Sequence, residues 1–303
     1  MESVHCDLCG ADDYFLRFPN TEQIEGSLDA SAFRCTHDGY GTHPQIVQCK
    51  ACGYVYANPR WEESELLAAY ESVEDDTYVH ERAGREKTFD KRLDKLESLI
   101  GKGDGRTLLD VGAYIGVFVE AAQSRGWDAM GVEPSSWAVG AARLNNIPVV
   151  EGTIDSSFLD GKQFDVITLW DVIEHLSSPK AEIAKFNAKL KPGGILVVHT
   201  MDIDSLAAKV MGTRWPWLMD MHIHYFSRDT LAKLMEDSDF QVMWIGAQGR
   251  YLSLGYIASR LGGMSRFMGR ISSKMVRILG IQNKTVPVNF GDLITLVARK
   301  SAP

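Results

Sequence analysis

The sequence predicts an α/β protein, an open sheet with helices on both faces, preceded by a small N-terminal domain stapled by cysteines. Three observations carry that expectation. Leu108-Leu109-Asp110-Val111 is a short apolar run of the kind found in central parallel strands, and a glycine loop, Gly112-Ala113-Tyr114-Ile115-Gly116, follows it. Val117 to Ser124 then has helical spacing, with Gly126 where a helix C-cap belongs, and a second strand ends in Gly131-Val132-Glu133-Pro134. Four cysteines fall in two Cys-x-x-Cys-Gly knuckles, Cys6/Cys9 and Cys49/Cys52, near the start of the chain.

The elements follow in order. Two such knuckles let four thiolates converge on one ion, so Cys6, Cys9, Cys49 and Cys52 are predicted to hold a structural Zn2+ in a domain spanning 1–60. A closed four-cysteine site has no open position and is expected to staple the fold, not to catalyse. The 39 residues between the knuckles exceed the usual finger spacing and imply an inserted loop. That loop holds Cys35, beside Arg34 and His37 and close to His43, either an isolated thiol or an alternative ligand. Glu62 to Glu71 reads as a helix with Leu66, Leu67 and Ala69, and Glu74-Asp75-Asp76 as an acidic break. Arg85 to Ile100 is a second helix with Phe89, Leu93 and Leu96 on one face, so 61–100 is expected to be a helical linker and lid. After the central strand, Ser135 to Leu144 is a helix capped by a serine, and Val149-Val150 a strand. Phe164 to Trp170 is a further strand, and Pro179 to Leu190 a helix with proline at its first position. Ile195 to Val198, Gln241 to Ile245 and Leu293 to Ala298 supply strands, with a helix from Ser227 to Met235 between them.

The glycine loop specifies a ligand class. Gly112 and Gly116 let the backbone approach a ligand, and the helix behind presents its donor-rich N-terminus. Glu133, seventeen residues past Gly116, stands where a carboxylate takes both hydroxyls of a ribose. A dinucleotide needs G-x-G-x-x-G to cradle its pyrophosphate, whereas here the glycines are four apart and bulky Tyr114 lies between them. Asp110 would repel a phosphate and suits an ammonium group. S-adenosylmethionine (SAM) has the ribose and the ammonium and no phosphate.

At this point the chain resembles the class I SAM-dependent methyltransferases, and within them the ubiquinone-pathway O-methyltransferases. The likeness continues through Asp171-Val172-Ile173-Glu174-His175-Leu176 after the fourth strand and through Lys191-Pro192-Gly193-Gly194 before the fifth. It covers roughly residues 85–245 and the last strand. It implies a Rossmann-like seven-stranded sheet over 101–303, with SAM against Asp110, Gly112, Ala113, Tyr114, Gly116, Glu133 and Pro134, and against Thr153, Ile154, Asp171 and Val172. Asp155 is placed either at the adenine amino group or as a helix cap. Tyr78 and Arg85 stand either at the methionine carboxylate or in ordinary surface contacts. Tyr114 departs from the small residue many members carry there. Tyr54 to Arg60 resembles the end of the zinc ribbons fused to some bacterial methyltransferases, which often modify sugars, lipids or secondary metabolites.

Composition sets the remaining bounds. The chain has 45% hydrophobic and 24% charged residues, as soluble globular proteins do. No apolar run approaches the roughly 20 residues that span a bilayer, and the start lacks a signal pattern, so a cytoplasmic address is the expectation. Of the net charge of −8, residues 1–100 contribute 20 acidic against 10 basic side chains. That acidic third argues against nucleic acid as a partner, because polyanion affinity comes mainly from Lys and Arg. Residues 248–290 form an insertion in which Leu254, Ile257, Leu261, Met264, Met268, Ile271, Met275 and Leu279 recur at helical spacing. Arg266, Arg270, Lys274 and Arg277 fall on the other face. The favoured expectation is a helix that packs its apolar face on the domain. The alternative is a basic amphipathic helix, over 254–279, in peripheral contact with an anionic membrane.

Methyl transfer to oxygen also requires a base, and histidine titrates in the right range. His175, His224 and His222, in that order, are the candidate bases, with His199 at the end of the fifth strand. As in some quinone-pathway enzymes with the same Glu-His pair, Asp171, Glu174 and His175 alternatively hold a divalent ion, or the pair simply fastens its loop. The expected activity is methyl transfer from SAM to a hydroxyl of a small molecule, glycan or lipid. C- or N-methylation on the same scaffold, an RNA methyltransferase, and a silent SAM-binding module whose ribbon docks a partner are the alternatives. The oligomeric state is not legible.

Overall fold

The computed structural model describes residues 1–21, 41–264 and 266–302, with side chains 76 and 261–268 left out. The expectations for Cys35 and its neighbours, and for the side chains of Leu261, Met264, Arg266 and Met268, lie outside the described residues. β1 (Tyr14–Phe18), β2 (Ile46–Cys49) and β3 (Val55–Ala57) begin the chain. Helices α1 (Glu63–Glu71), α2 (Asp76–His80) and α3 (Arg82–Ile100) lead into β4 (Thr107–Val111). Next come α4 (Val117–Ser124), β5 (Asp128–Glu133), α5 (Ser136–Leu144), β6 (Val149–Glu151) and β7 (Phe164–Trp170). After α6 (Pro179–Lys189) and β8 (Leu190–Met201) lie α7 (Leu206–Met211), β9 (His224–Tyr225) and α8 (Arg228–Glu236). The chain ends with β10 (Phe240–Ala247), β11 (Arg250–Ser253), α9 (Leu254–Met264), α10 (Arg266–Ile278), β12 (Thr285–Val288) and β13 (Leu293–Lys300).

The main sheet has seven strands in the order β10-β13-β8-β7-β4-β5-β6, parallel from β8 to β6, with β13 antiparallel between β10 and β8. Leu108, Leu109, Ile167, Leu169, Leu196 and Val198 are fully buried in its two faces, each stabilising by about 1.5–3 kcal/mol. β4 is central and helices cover both its faces, which is why it reads as an apolar run around the single buried Asp110. The order reverses between β4 and β7, so the crevice outside their carboxyl ends is where a ligand fits in an open α/β sheet.

Helix starts follow their caps. Ser135 and Ser227 accept from the backbone N–H of Ala138 and Thr230, and Pro179 opens α6. α3 starts three residues earlier than its apolar spacing suggests, and a short α2 precedes it, capped by Asp75 accepting from the Tyr78 N–H. Lys191 to Gly194 is not a turn ahead of a strand but part of β8. Leu190 pairs with Phe164 and Ile195 with Val166, so the four residues 191–194 bulge opposite the single partner residue Asp165.

Two findings change the domain picture. The N-terminal sheet has the order β1-β2-β3-β9, so the ribbon takes its fourth strand from residues 224–225. A ribbon ending at residue 60 is therefore incomplete. In the insertion, β11 and β12 pair as a hairpin that frames α9 and α10. Contrary to the favoured expectation, the described apolar side chains at the end of α10 do not pack on the domain: Ile271, Met275 and Ile278, with Leu279 just beyond the helix, are 45–73% exposed.

Candidate active site

The loop after β4 is built around Glu133. Its carboxylate accepts from the backbone N–H of Tyr114 (2.9 Å) and of Ser135 (2.9 Å), and the Tyr70 side chain of α1 completes its partners. Burial pushes this carboxyl up to about 7 against those donors. Gly112 has φ +70°, and a Cβ there would stand 2.6 Å from Val172 Cγ2, so the loop passes β7 at a distance only glycine allows. Tyr114 carries φ +50°, a left-handed conformation that costs a non-glycine residue about 1 kcal/mol or more. Its ring packs edge-on to Tyr78 at 4.3 Å and tilts against Trp137 at 5.8 Å, so the departure from a small residue fastens the loop to α2 and α5.

Two cavities meet at this loop. One, of about 340 Å³, is lined by Leu66, Val111, Pro134, Thr153, Ile154 and Phe186. It has the apolar walls that suit an adenosine. The other is lined by aromatic rings, by Arg85, Arg92 and Arg250, and by His175 and His222. Gly112, Asp171, Val172, Tyr70, His175 and Met221 belong to both. Ala113 and Gly116 shape the loop behind: Ala113 N donates to Val132 O, and Gly116 caps α4 with φ +78°. Asp110 reaches neither cavity. It is 2% exposed, accepts from Thr168 Oγ1 at 2.6 Å, and is pushed up to about 8 by burial and then by the charge of Glu133. Asp155 lines the first cavity and pairs with Lys185 at 2.6 Å.

The histidines sort by what their nitrogens touch. A carbonyl only accepts, so His175 Nδ1–H donates to Met221 O (2.8 Å) and His222 Nδ1–H to Trp217 O (2.8 Å). Each therefore carries its lone pair on Nε2. The two rings lie 4.9 Å apart in the second cavity, beside Glu174. Burial lowers the His175 pKa, and burial followed by the His175 charge takes His222 down to about 3. His224 is placed elsewhere, a correction to its candidacy as a base. It is 1% exposed, with Nδ1 at 2.8 Å from the Tyr54 hydroxyl and Nε2 at 3.3 Å from the Arg60 guanidinium, inside the ribbon interface. His199 accepts from Arg92 on Nε2 (2.7 Å) and donates to Thr295 from Nδ1 (2.7 Å), beneath Asp171.

Two groups have the donor set of a metal site. The sulfurs of Cys6, Cys9, Cys49 and Cys52 lie within 4.8 Å of one another, with Cys6 at 3.5 Å from Cys52 and Cys9 at 3.6 Å from Cys49. Tetrahedral thiolates about 2.3 Å from zinc stand at such separations, and a disulfide, with sulfurs about 2 Å apart, does not. Glu174, His175 and His222 form the second group, their ligand atoms also within 4.8 Å. Glu174 Oε2 accepts from Thr200 Oγ1 at 3.0 Å, while Oε1 is buried with no hydrogen-bond partner among the described residues. His222 thus joins the Glu-His pair where the sequence suggested Asp171, because the loop 215–226 folds back over β7.

Sequence reasoning passed over Tyr70, Arg92 and Arg250. For Arg92 the signal was available: it lies seven residues after Arg85, on the same face of α3. Tyr70 lies next to the apolar residues that define α1, and Arg250 lies just before the insertion helices.

A crevice at the sheet's reversal point, a carboxylate under a glycine loop and no phosphate cradle define a nucleoside-binding α/β protein of the methyltransferase type. The chain belongs to the family described as "Methyltransferase domain", which matches residues 78–243. A ubiquinone biosynthesis O-methyltransferase from Bradyrhizobium sp. (strain ORS 278) is 29% identical over 177 residues, 54% of this chain and 66% of the relative. One from Alkalilimnicola ehrlichii is 30% identical over 121 residues, 37% of this chain and 48% of the relative. The chain therefore spans about half to two thirds of the length of these curated relatives. Among solved structures, magnesium protoporphyrin IX methyltransferase from Synechocystis PCC 6803 with bound SAH superposes with a TM-score of 0.51 at 15% identity, covering 79% of this chain and all (100%) of that one. That likeness establishes the Rossmann-like methyltransferase fold. Among the described residues no helix is long and apolar enough to cross a membrane.

Proposed function

We propose that this protein is a SAM-dependent O-methyltransferase acting on a hydroxyl of a small molecule, glycan or lipid intermediate, with a structural zinc in its ribbon. The observation that carries the reading is the junction of the two cavities over Gly112, Asp171 and Val172, with a histidine-lined chamber on the far side. In this reading Glu133 takes the ribose hydroxyls once the Tyr70 side chain gives way, and Pro134, Thr153 and Ile154 flank the adenine. The loop Gly112-Ala113-Tyr114 receives the methionine end, with Arg85 on its carboxylate. Bound SAM supplies an activated methyl group on a sulfonium. Asp110 acts indirectly, by fixing the strand end through Thr168. The chain's part is to align the acceptor for an in-line displacement and to exclude water. His175 Nε2, neutral and uncommitted, takes the hydroxyl proton.

A second reading of the same chamber has its own support. The unpartnered Glu174 Oε1 beside two Nε2 lone pairs is a set of ligands for a divalent cation, which would lower the pKa of a coordinated acceptor hydroxyl. EDTA treatment that abolishes turnover while the zinc content stays at one equivalent selects this reading; unchanged turnover selects the base.

The exposed stripe of α10, flanked by Arg270, Lys274 and Arg277, supports a peripheral contact with anionic lipid as the way a greasy acceptor is met. The test of the whole reading is calorimetry with SAM and SAH, followed by label transfer from methyl-labelled SAM into fractionated extracts. Folded, zinc-loaded protein that binds neither ligand refutes it.

A further inference from the structure

The second cavity carries more positive charge than a bound cofactor can use. Arg85 and Arg92 enter it from one face of α3, and Arg250 from β11, which packs against α3. Each guanidinium lies over an aromatic ring: Arg85 over Tyr78 at 3.3 Å, Arg92 over Trp170 at 4.7 Å, and Arg250 over Trp217 at 4.7 Å. A cation–π contact of this kind positions the guanidinium and leaves N–H donors for an oxyanion. Arg92 is 4% exposed and its Nε has no partner. The charges of Arg250, Arg92 and Arg85 all act on the Asp171 carboxylate, so the three are close enough to act together.

Three acids, Asp171, Glu81 and Glu174, line the same cavity, so the positive charges exceed them only once a cofactor is bound. Asp171 lies among the arginines, and the Glu81 carboxylate is taken by Ser253, whose N–H and hydroxyl both donate to it (3.3 and 2.8 Å). SAM brings a sulfonium and an ammonium against one carboxylate, a further net positive charge. An enclosed site with such an excess is costly to desolvate unless an anion enters it.

Resting on the methyltransferase reading above, we propose that the acceptor itself carries an oxyanion, a carboxylate or a phosphate, which docks on Arg250 with its hydroxyl directed to His175 and His222. Trp217 sets the arrangement. Its ring lies under Arg250, its carbonyl receives the His222 N–H, and the His222 ring stands 6.3 Å from its centroid. One aromatic side chain thus spaces the anion site from the proton acceptor, and a ring-bearing substrate fits along it. Arg250 is a specificity-determining residue, and Arg85 is left for the cofactor.

The test is calorimetry on full-length, zinc-loaded protein saturated with SAH, using benzoate, phenyl phosphate and neutral benzamide as probes. At least one anion binds tenfold or more tightly than benzamide, and whichever of the two binds tighter identifies the oxyanion. Arg250→Gln abolishes the preference and leaves SAH affinity within about threefold, while Arg250→Lys retains part of it. Anions that bind no better than benzamide, or not at all, overturn the proposal. So does an Arg250→Gln variant that keeps the full preference. Failure to bind SAH at the outset refutes the methyltransferase reading instead.

Discussion

Removing zinc from the ribbon should disorder the acceptor wall and spare the nucleoside pocket. The ribbon's buried apolar side chains are few, with Leu8, Val47, Tyr54 and Tyr56 among them, each worth about 1.5–3 kcal/mol. Ordering the backbone costs about 1–2 kcal/mol per residue, so a metal contribution of about 10–16 kcal/mol decides whether such a module folds. When the ribbon opens, β9 loses its pairing with β3, and Ile223 O loses the Ala57 N–H. His224 loses both Tyr54 and Arg60. Each buried polar group left unpaired costs about 1–3 kcal/mol, so these three bonds amount to roughly 3–9 kcal/mol, enough to release residues 219–226. Residues 215–217 stay, because Trp215 and Trp217 both donate their indole N–H to Asp292 (3.1 and 2.9 Å). The assay is chelation under reducing conditions, with zinc counted by mass spectrometry, hydrogen exchange read along the chain and SAH affinity by calorimetry. Exchange over 219–226 should rise by at least about a hundredfold, the equivalent of ~2.7 kcal/mol, with SAH affinity changed by less than about threefold. Zinc-free protein that keeps full protection at 219–226 refutes the coupling.

Four further outcomes follow from the same geometry. Glu133→Gln should weaken SAM binding by roughly 10- to 100-fold, since charged hydrogen bonds are worth about 1.5–3 kcal/mol; calorimetry showing unchanged affinity removes Glu133 from the ribose site. Asp110, held protonated up to about pH 8, binds a proton in the fold where the unfolded chain, with a pKa of about 3.9, has released it, so its contribution is lost as pH rises through about 8. His175, His222 and His224 oppose this only below about pH 6.5, so the melting temperature should fall between pH 6.5 and 8.5, and less so in Asp110→Asn; equal slopes would count against the assignment. His175→Ala should lower kcat by about 10²–10⁴-fold with SAM affinity intact, and full turnover would remove it as the base. Sedimentation with anionic but not neutral liposomes, lost in Ile278→Asp/Met275→Asp, is expected for α10; no sedimentation at low salt reduces its stripe to an exposed surface.

Much of the fold was legible because its signals are local. A strand buried on both faces is mostly apolar, so β4 and β7 announce themselves despite Asp110 and Asp165, and serine caps and Pro179 mark where helices begin. The β11–β12 hairpin was not, since Thr285-Val286-Pro287-Val288 pairs across a helical insertion and carries a proline that local reading treats as a breaker. The exposed face of α10 escaped for a related reason. Apolar periodicity says that a face is apolar, not that anything covers it.

The active site shows the same limit at the level of single atoms. His175, His222, His224 and His199 are one residue type near strand ends, and no sequence pattern separates them. What separates them is the partner of each second nitrogen. Backbone carbonyls of the 215–226 loop fix His175 and His222 with free Nε2 atoms, whereas Tyr54 and Arg60 consume His224. Those partners lie between 5 and 170 residues away along the chain. The ribbon that removes His224 from the chemistry also pins the strand next to His222. The residue that looked like a second base is therefore a joint between the four-cysteine ribbon and the wall of the second cavity, and that role exists only because β9 completes the ribbon's sheet.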